Sequence, residues 1–368
     1  GRQQGARRHR PGRAQAASKA RGVTGLGAPI GDPFYVDYVS HEMGHQFGGS
    51  HTWNSNSCSG YPGQYRPNAA YEPGSASTIM GYAGICGIDD LQPNSDDYFH
   101  SISFDEIVAY STVGAGTCGV ASNTGNTPPN VTSGTGGFTI PHSTPFVMSG
   151  AATDPDGDAL TYGWEEFDLP TAAGPAPPNP GFVTPPFFRS FDPTTSPART
   201  FPRLSDIVNN TTTLGEILPT AAANLTFRLT ARDNRAGGGG VNYAAYSITV
   251  SGSAGPFRVT APNGGGVWPV ASSQTVTWDV ANTGAAPVSC SAVTLKLSTD
   301  GGFTYPITLL ASTANDGSAA VVVPDNETGQ ARVRAECADN IFFDISNANF
   351  TIERQADLSM AKSDSPDP

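Results

Sequence analysis

His41-Glu42-Met43-Gly44-His45-Gln46-Phe47-Gly48-Gly49-Ser50-His51 is the stretch on which the reading of this 368-residue chain turns. Three of the six histidines fall inside these eleven residues. On a helix, His41 and His45 stand one turn apart on one face, so both imidazoles reach a common point. Gly48 follows within a turn. Lacking a Cβ, it can take the left-handed conformation that ends a helix and swings the chain back. His51 can then approach the same point from outside the helix. Three imidazoles converging in this way suit a tetrahedral Zn²⁺ whose fourth position is left to water. Glu42, beside His41, is the candidate base for that water.

A second stretch, Thr78-Ile79-Met80-Gly81-Tyr82, lies downstream of the last histidine. Taken alone, Met80 reads as a gap-filling core methionine. Together the two stretches resemble the metzincin zinc metallopeptidases, most closely the bacterial reprolysin-like family, in which the extended histidine motif is followed by a Met-turn. The resemblance implies that Met80 packs beneath the ligands without binding the metal. It also puts Tyr82 where some metzincins place a tyrosine that touches the zinc or the transition-state oxyanion, although a buried structural tyrosine fits the position as well.

Outward from this motif, helix signals run from Asp32 as N-cap and Pro33 at the first helical position through Phe34, Val36 and Val39 to Gly48. After the Met-turn, Ser103 and Glu106 have capping-box spacing ahead of Ile107, Val108 and Tyr110, which predicts a last helix ending near Cys118. Family members place a twisted sheet, with an edge strand that aligns substrate, before the zinc helix. At most forty residues precede His41 here. The expectation is therefore the C-terminal half of an α/β catalytic domain, carrying the zinc helix and Met-turn, over residues 23–119, and a chain truncated at both ends.

Residues 1–22 hold seven Arg or Lys and no acid, whereas the whole chain has a net charge of −12. Without apolar periodicity this segment reads as unpacked and foreign to the family. The acidic remainder argues against nucleic acid as a partner. No run of eighteen apolar residues exists, so no spanning helix is expected.

With 14% charged residues, 43 Gly and 31 Pro, much of the chain reads as strands and turns. After a linker at 120–130, alternating segments such as Leu225–Leu229 and Tyr246–Val250 predict an Ig-like or cadherin-like β-sandwich over 131–252. A second Ig-like sandwich is expected over 253–353, with strands at Val276–Val280, Val293–Leu297, Val321–Val323, Val333–Cys337 and Phe342–Ile352. Residues 354–368 resemble the start of a repeated surface module.

Two turns stand out. Asp154, Asp156 and Asp158 bring three carboxylates together that can ligate Ca²⁺, and a solvated turn accounts for them equally well. Ser298-Thr299-Asp300-Gly301-Gly302-Phe303-Thr304 resembles an Asp-box, in which Ser298, Asp300 and Thr304 satisfy a tight turn locally. Of the five cysteines, Cys58 and Cys86 bracket the loop between motif and Met-turn and can pair, as can Cys290 and Cys337 in the second sandwich. That leaves Cys118, in the position where related reprolysins tether the last helix to an upstream cysteine that this chain lacks.

These features converge on a secreted or cell-surface bacterial zinc endopeptidase. Its substrates would be proteins or peptides, and cell-surface or extracellular-matrix components its further partners. The rival reading is a surface adhesion or binding protein in which the sandwiches act and the zinc site is a vestige. An intact Glu42 speaks for the first, since a vestigial site has no use for a base.

Overall fold

The computed structural model describes residues 24–171 and 184–355. The basic segment 1–22 and residues 356–368 lie outside the described residues, and so does the side chain of Cys118.

The motif lies on a continuous helical run: α1 (Asp32–Phe34), a π-helical turn (Tyr35–Ser40) and α2 (His41–Gln46). The wide turn is matched by Ser40 Oγ, which donates to the carbonyl of Tyr35 five residues back at 2.9 Å. The expected N-cap needs correcting. Gly31, at φ 82°, flanks the helix and no side chain caps it, so Asp32 is the first helical residue and not the cap. Its carboxylate is left to interact with the positive end of the helix dipole.

After the motif the chain runs mostly as loop, with one two-residue parallel pair, β1 (Trp53–Asn54) with β2 (Glu72–Pro73). Helix α3 (Ser101–Thr112) follows. Here too the local signal misleads. The helix starts two residues before Ser103 because His100 is the N-cap, its Nδ1 accepting from the amide of Ile102 at 3.2 Å. Glu106 turns away to the amide of Ser50, at 2.6 Å.

The remaining two thirds is β structure. The first sandwich contains β3 (Asn130–Gly134), β4 (Thr139–Pro141), β5 (Phe146–Thr153), β6 (Thr161–Glu166) and β7 (Ala198–Phe201), then, after a short α4 (Leu204–Asn209), β8 (Ala223–Arg232) and β9 (Val241–Ser251). Its two sheets are ordered β3-β5-β7 and β4-β9-β8-β6. Strand β8 shows why: Leu225, Phe227 and Leu229 alternate with polar residues, and all three are fully buried.

The second sandwich contains β10 (Arg258–Ala261), β11 (Val267–Pro269), β12 (Ser273–Asp279), β13 (Ala292–Ser298), β14 (Ile307–Ala314), β15 (Ser318–Val322), β16 (Thr328–Cys337), β17 (Phe343–Ile345) and β18 (Phe350–Glu353). One sheet is β10-β12-β15; the other is β11-β18-β16-β13-β14, with β17 pairing on β16. The single strand expected over Phe342–Ile352 is in fact two, because Ser346 breaks the run. Its hydroxyl accepts from the amide of Val333 at 3.0 Å, and its carbonyl accepts from Arg332 at 2.5 Å.

The sandwiches share one apolar core, joined at Phe146, Phe257 and Phe342. Backbone bonds cross the junction as well, from the amide of Val147 to the carbonyl of Ile341 and from Phe343 to Pro145, both at 3.0 Å. The first sandwich is also docked on the motif-bearing unit. Glu165 Oε2 accepts from the first amide of α3, Ser101, at 3.1 Å, and Arg228 pairs with Asp105 at 2.7 Å. Tyr243 donates to the same carboxylate, and Arg232 donates to the carbonyl of Phe99 at 3.0 Å. Both disulfides form, Cys58–Cys86 and Cys290–Cys337, which is consistent with an oxidising compartment. No helix among the described residues is long and apolar enough to cross a membrane.

Candidate metal centre

The three motif histidines meet, with one ring nitrogen from each lying within 4.8 Å of the others. Each ring is oriented by a backbone carbonyl on its other nitrogen. His41 Nδ1 contacts the oxygen of Ile79 at 2.7 Å, His45 Nδ1 that of Gly49 at 2.8 Å, and His51 Nδ1 that of Gln64 at 2.7 Å. A carbonyl can only accept, so every Nδ1 carries the proton and every Nε2 of a neutral ring presents a lone pair. The His45 and His51 Nε2 atoms are 2.9 Å apart. Two acceptors brought together in this way are satisfied by a shared cation.

The sequence builds this locally. Gly48 sits at φ +93°, in the left-handed region, against the ring of Tyr110 on α3, where a Cβ would lie 3.0 Å from that side chain. The amide of Gly49 closes the helix end on the carbonyl of Gly44 at 2.8 Å. Gly44 itself has a reason not visible in the motif: a Cβ there would lie 2.4 Å from the sulfur of Met80 and 3.0 Å from the ring of Phe99. Met80 is fully buried and packs against the helix backbone between the two helical histidines.

Burial, and after it the neighbouring His45, push the His41 imidazole down to about 3, so the neutral form that a metal requires is the stable one. Glu42 is half-buried, and burial raises its carboxyl above the ordinary range. Tyr82 is 7% exposed; its ring centroid is 4.5 Å from that of His51, 5.8 Å from His41 and 5.3 Å from Trp53.

Two carboxylates to which the sequence assigns no part in the centre support it from behind. Glu106 holds the Ser50 amide beside His51. Glu72, 1% exposed, accepts from the hydroxyls of Thr52 at 2.7 Å and Thr78 at 2.5 Å and from the amide of Ser77 at 3.1 Å. Glu72 has no spacing signature and the capping-box spacing of Glu106 points to a different partner, because each actual partner is distant along the chain or belongs to an irregular loop.

Away from this centre, the donor oxygens of Asp154, Asp156 and Asp158 also lie within 4.8 Å of one another. Much of their capacity is already engaged. Asp154 Oδ1 accepts the amides of Asp156 and Asp158 at 2.9 and 3.0 Å, and the Arg235 guanidinium stands 3.7 and 3.8 Å from Asp156 and Asp158. A third grouping, Cys290, Cys337 and Asp339, has its two sulfurs joined to each other and offers no thiolate. The Asp-box turn satisfies itself: Asp300 accepts from Ser298 Oγ and Thr304 Oγ1, both at 2.6 Å, and Ser298 Oγ accepts from the amide of Gly302 at 2.8 Å.

Residues 10–110 match the family described as Metallo-peptidase family M12B, Reprolysin-like. The match supports a metallopeptidase at the level of the family, and it begins inside the basic segment 1–22. No curated protein matches the chain. Among solved structures, the FN1–FN3 domains of chicken CNTN1 are 12% identical, covering 60% of this chain and 69% of that one, with a TM-score of 0.23. The N-terminal Ig1–2 module of the Drosophila receptor protein tyrosine phosphatase DLAR is 9% identical, covering 62% of this chain and all of that one, with a TM-score of 0.31. Scores this low carry no conclusion about the present chain.

Proposed function

We propose that this protein is a secreted or surface zinc endopeptidase, with residues 23–119 as the catalytic unit and the sandwiches at 131–252 and 253–353 as accessory modules. The observation that carries the reading is the convergence of His41, His45 and His51, each with its Nδ1 on a carbonyl. The donor set fits zinc. Tetrahedral ligation at about 2.0–2.1 Å asks for nitrogens roughly 3.4 Å apart, within the range this cluster spans. A carbonyl partner behind each ligating ring is the usual way the tautomer is fixed.

Zinc, when bound, would supply Lewis acidity that lowers the pKa of water and polarises the scissile carbonyl. The chain does the rest. Glu42 takes the proton from the attacking water and hands it to the leaving amine, and its raised pKa suits a group that must do both. Tyr82, whose ring lies against His51, would donate its hydroxyl to the oxyanion. Met80 holds the helix from below. Within the stretch Thr78–Ile88, the exposed Gly84, Gly87 and Ile88 would be the part that meets the substrate side chain.

The test is Glu42→Ala on the full chain. Bound zinc should stay stoichiometric while hydrolysis of a general protein substrate such as casein falls by about 10²–10⁴-fold. A wild-type chain that binds zinc and cleaves nothing would favour the adhesion reading instead.

A further inference from the structure

Thr52 immediately follows the third histidine, and Thr78 opens the Met-turn. Neither belongs to the helix that carries the other two histidines, so something must fix these two loops to each other and to that helix. The geometry points to Glu72 as the positioning residue that does so. This inference rests on the proposed metal centre.

The Glu72 carboxylate lies between the two segments with almost no exposure. Oε1 is shared by the hydroxyls of Thr52 and Thr78, and Oε2 accepts from the amide of Ser77. Ser77 Oγ is only 3.4 Å from Oε2 and gives its proton to the carbonyl of Ser190 at 2.8 Å, so its own bond to Glu72 is secondary. The backbone repeats the connection. The amide of Glu72 donates to the carbonyl of Thr52 at 3.0 Å, and the amide of Thr52 donates to the carbonyl of Met80 at 3.2 Å.

What hangs on this knot is specific. The carbonyl of Ile79, next to Thr78, orients His41. Met80 carries the sulfur that packs on Gly44. On the other segment, His51 is one residue before Thr52. Glu72 therefore sets the position of one ligand directly and the orientation of a second through Ile79, without touching either ring. A neutral amide has one acceptor oxygen where the carboxylate has two: with it on the Ser77 amide, the nitrogen meets the Thr52 and Thr78 hydroxyls, which must turn round to accept and so give up the bonds they donate to Oε1. Because the site is fully buried, a mismatched donor has no water to turn to.

The measurement uses the full chain carrying zinc or cobalt. Glu72→Gln should keep the wild-type far-UV circular dichroism yet lose metal affinity by about 10-fold or more, read by competition with a chromogenic chelator. Its cobalt-loaded form should show a changed visible absorption spectrum, which reports ligand geometry and not mere stability. Thr78→Val should move both readouts in the same direction by a smaller factor, and Thr78→Ser, which keeps the hydroxyl, should restore them. Should Glu72→Gln fail to fold, the Thr78 pair decides alone. Unchanged affinity and an unchanged cobalt spectrum in Glu72→Gln, or in Thr78→Val where Gln is unfolded, would reduce Glu72 to an ordinary structural acid. A wild-type chain that binds metal but hydrolyses nothing would sink the peptidase reading and leave the Glu72 result standing, because neither readout depends on turnover.

Discussion

The metal-centre unit and the sandwiches keep their order by opposite means. In the sandwiches most of the buried side chains are apolar, Phe, Val, Leu and Ile above all, with Glu166, Glu216 and Arg332 among a minority of buried charged groups, and the fully buried rings of Phe146, Phe188, Phe201 and Phe227 contact one another at centroid distances of 4.8–6.1 Å. Around the histidines the buried residues are Thr52, Asn54, Ser55, Glu72, Ser75, Ser77, Thr78 and Asp89, with Trp53, Met80 and Tyr82 as the main apolar mass. Apolar burial tolerates small displacements because it has no direction. A network of buried hydrogen bonds does not, since a donor that loses its acceptor there costs its full desolvation. The sandwiches are held mainly by mass and the metal centre mainly by geometry, and geometry is what a metal site needs.

The disulfides offer the strongest way to break this comparison, because there is one in each region. Chain-entropy arguments give them similar weight, about 4 kcal/mol for loops of this size. The consequences should differ. Replacing Cys58 and Cys86 with Ala should lower metal affinity by about 100-fold or more, since the loop they close carries Gln64, the acceptor for His51. Replacing Cys290 and Cys337 should lower the melting temperature and leave metal affinity alone. Chelator titration with calorimetry on both variants checks this; equal metal loss in the two would dissolve the distinction.

Next in size is Phe227→Ala. Removing this ring from a packed aromatic cluster should cost about 3–5 kcal/mol of sandwich stability, measured by urea unfolding, with metal affinity within twofold of wild type. A large metal effect would mean that the sandwich core and the centre are one cooperative unit.

The last expected effect is one of pH, and it leaves the metal centre untouched. Burial pushes the Asp344 carboxyl, in the second sandwich, from 3.8 up to about 7. A carboxyl whose folded value is raised favours the folded state while it is protonated. That contribution is full below pH 4, is lost as pH rises from about 4 to about 7, and stays constant beyond. Asp344→Asn should flatten the stability profile within that window and nowhere else, as seen in urea midpoints measured at half-unit steps. An unaltered slope would show that the acid is ionised throughout.

How far the sequence could be read follows the same division. The period-two strands carry their burial in their own residues, so Leu225, Phe227 and Leu229 announce β8 without help. The histidine spacing likewise carries its geometry, down to the left-handed Gly48. Contacts between distant loops are not written in any local pattern. Glu72 finds Thr52 and Thr78 only after the chain has folded, and Glu106 abandons the local capping arrangement its spacing suggests for the amide of Ser50. The start of α3 is hidden for the same reason: its first amide is met by Glu165, from another part of the chain. Gly44 shows a constraint of this kind hidden in plain view, within the motif itself, where the sulfur of Met80 leaves no room for a side chain.

The docking of α3 onto the first sandwich has a consequence for how such a protein can change over generations. Glu165, Arg228, Arg232 and Tyr243 all belong to the sandwich, and all of them bond to the segment Phe99–Asp105. A recombination event that exchanged this β module for another of the same shape would deliver a helix without its anchors, and that helix supports the loop leading to His51. The two pieces are therefore expected to be inherited together.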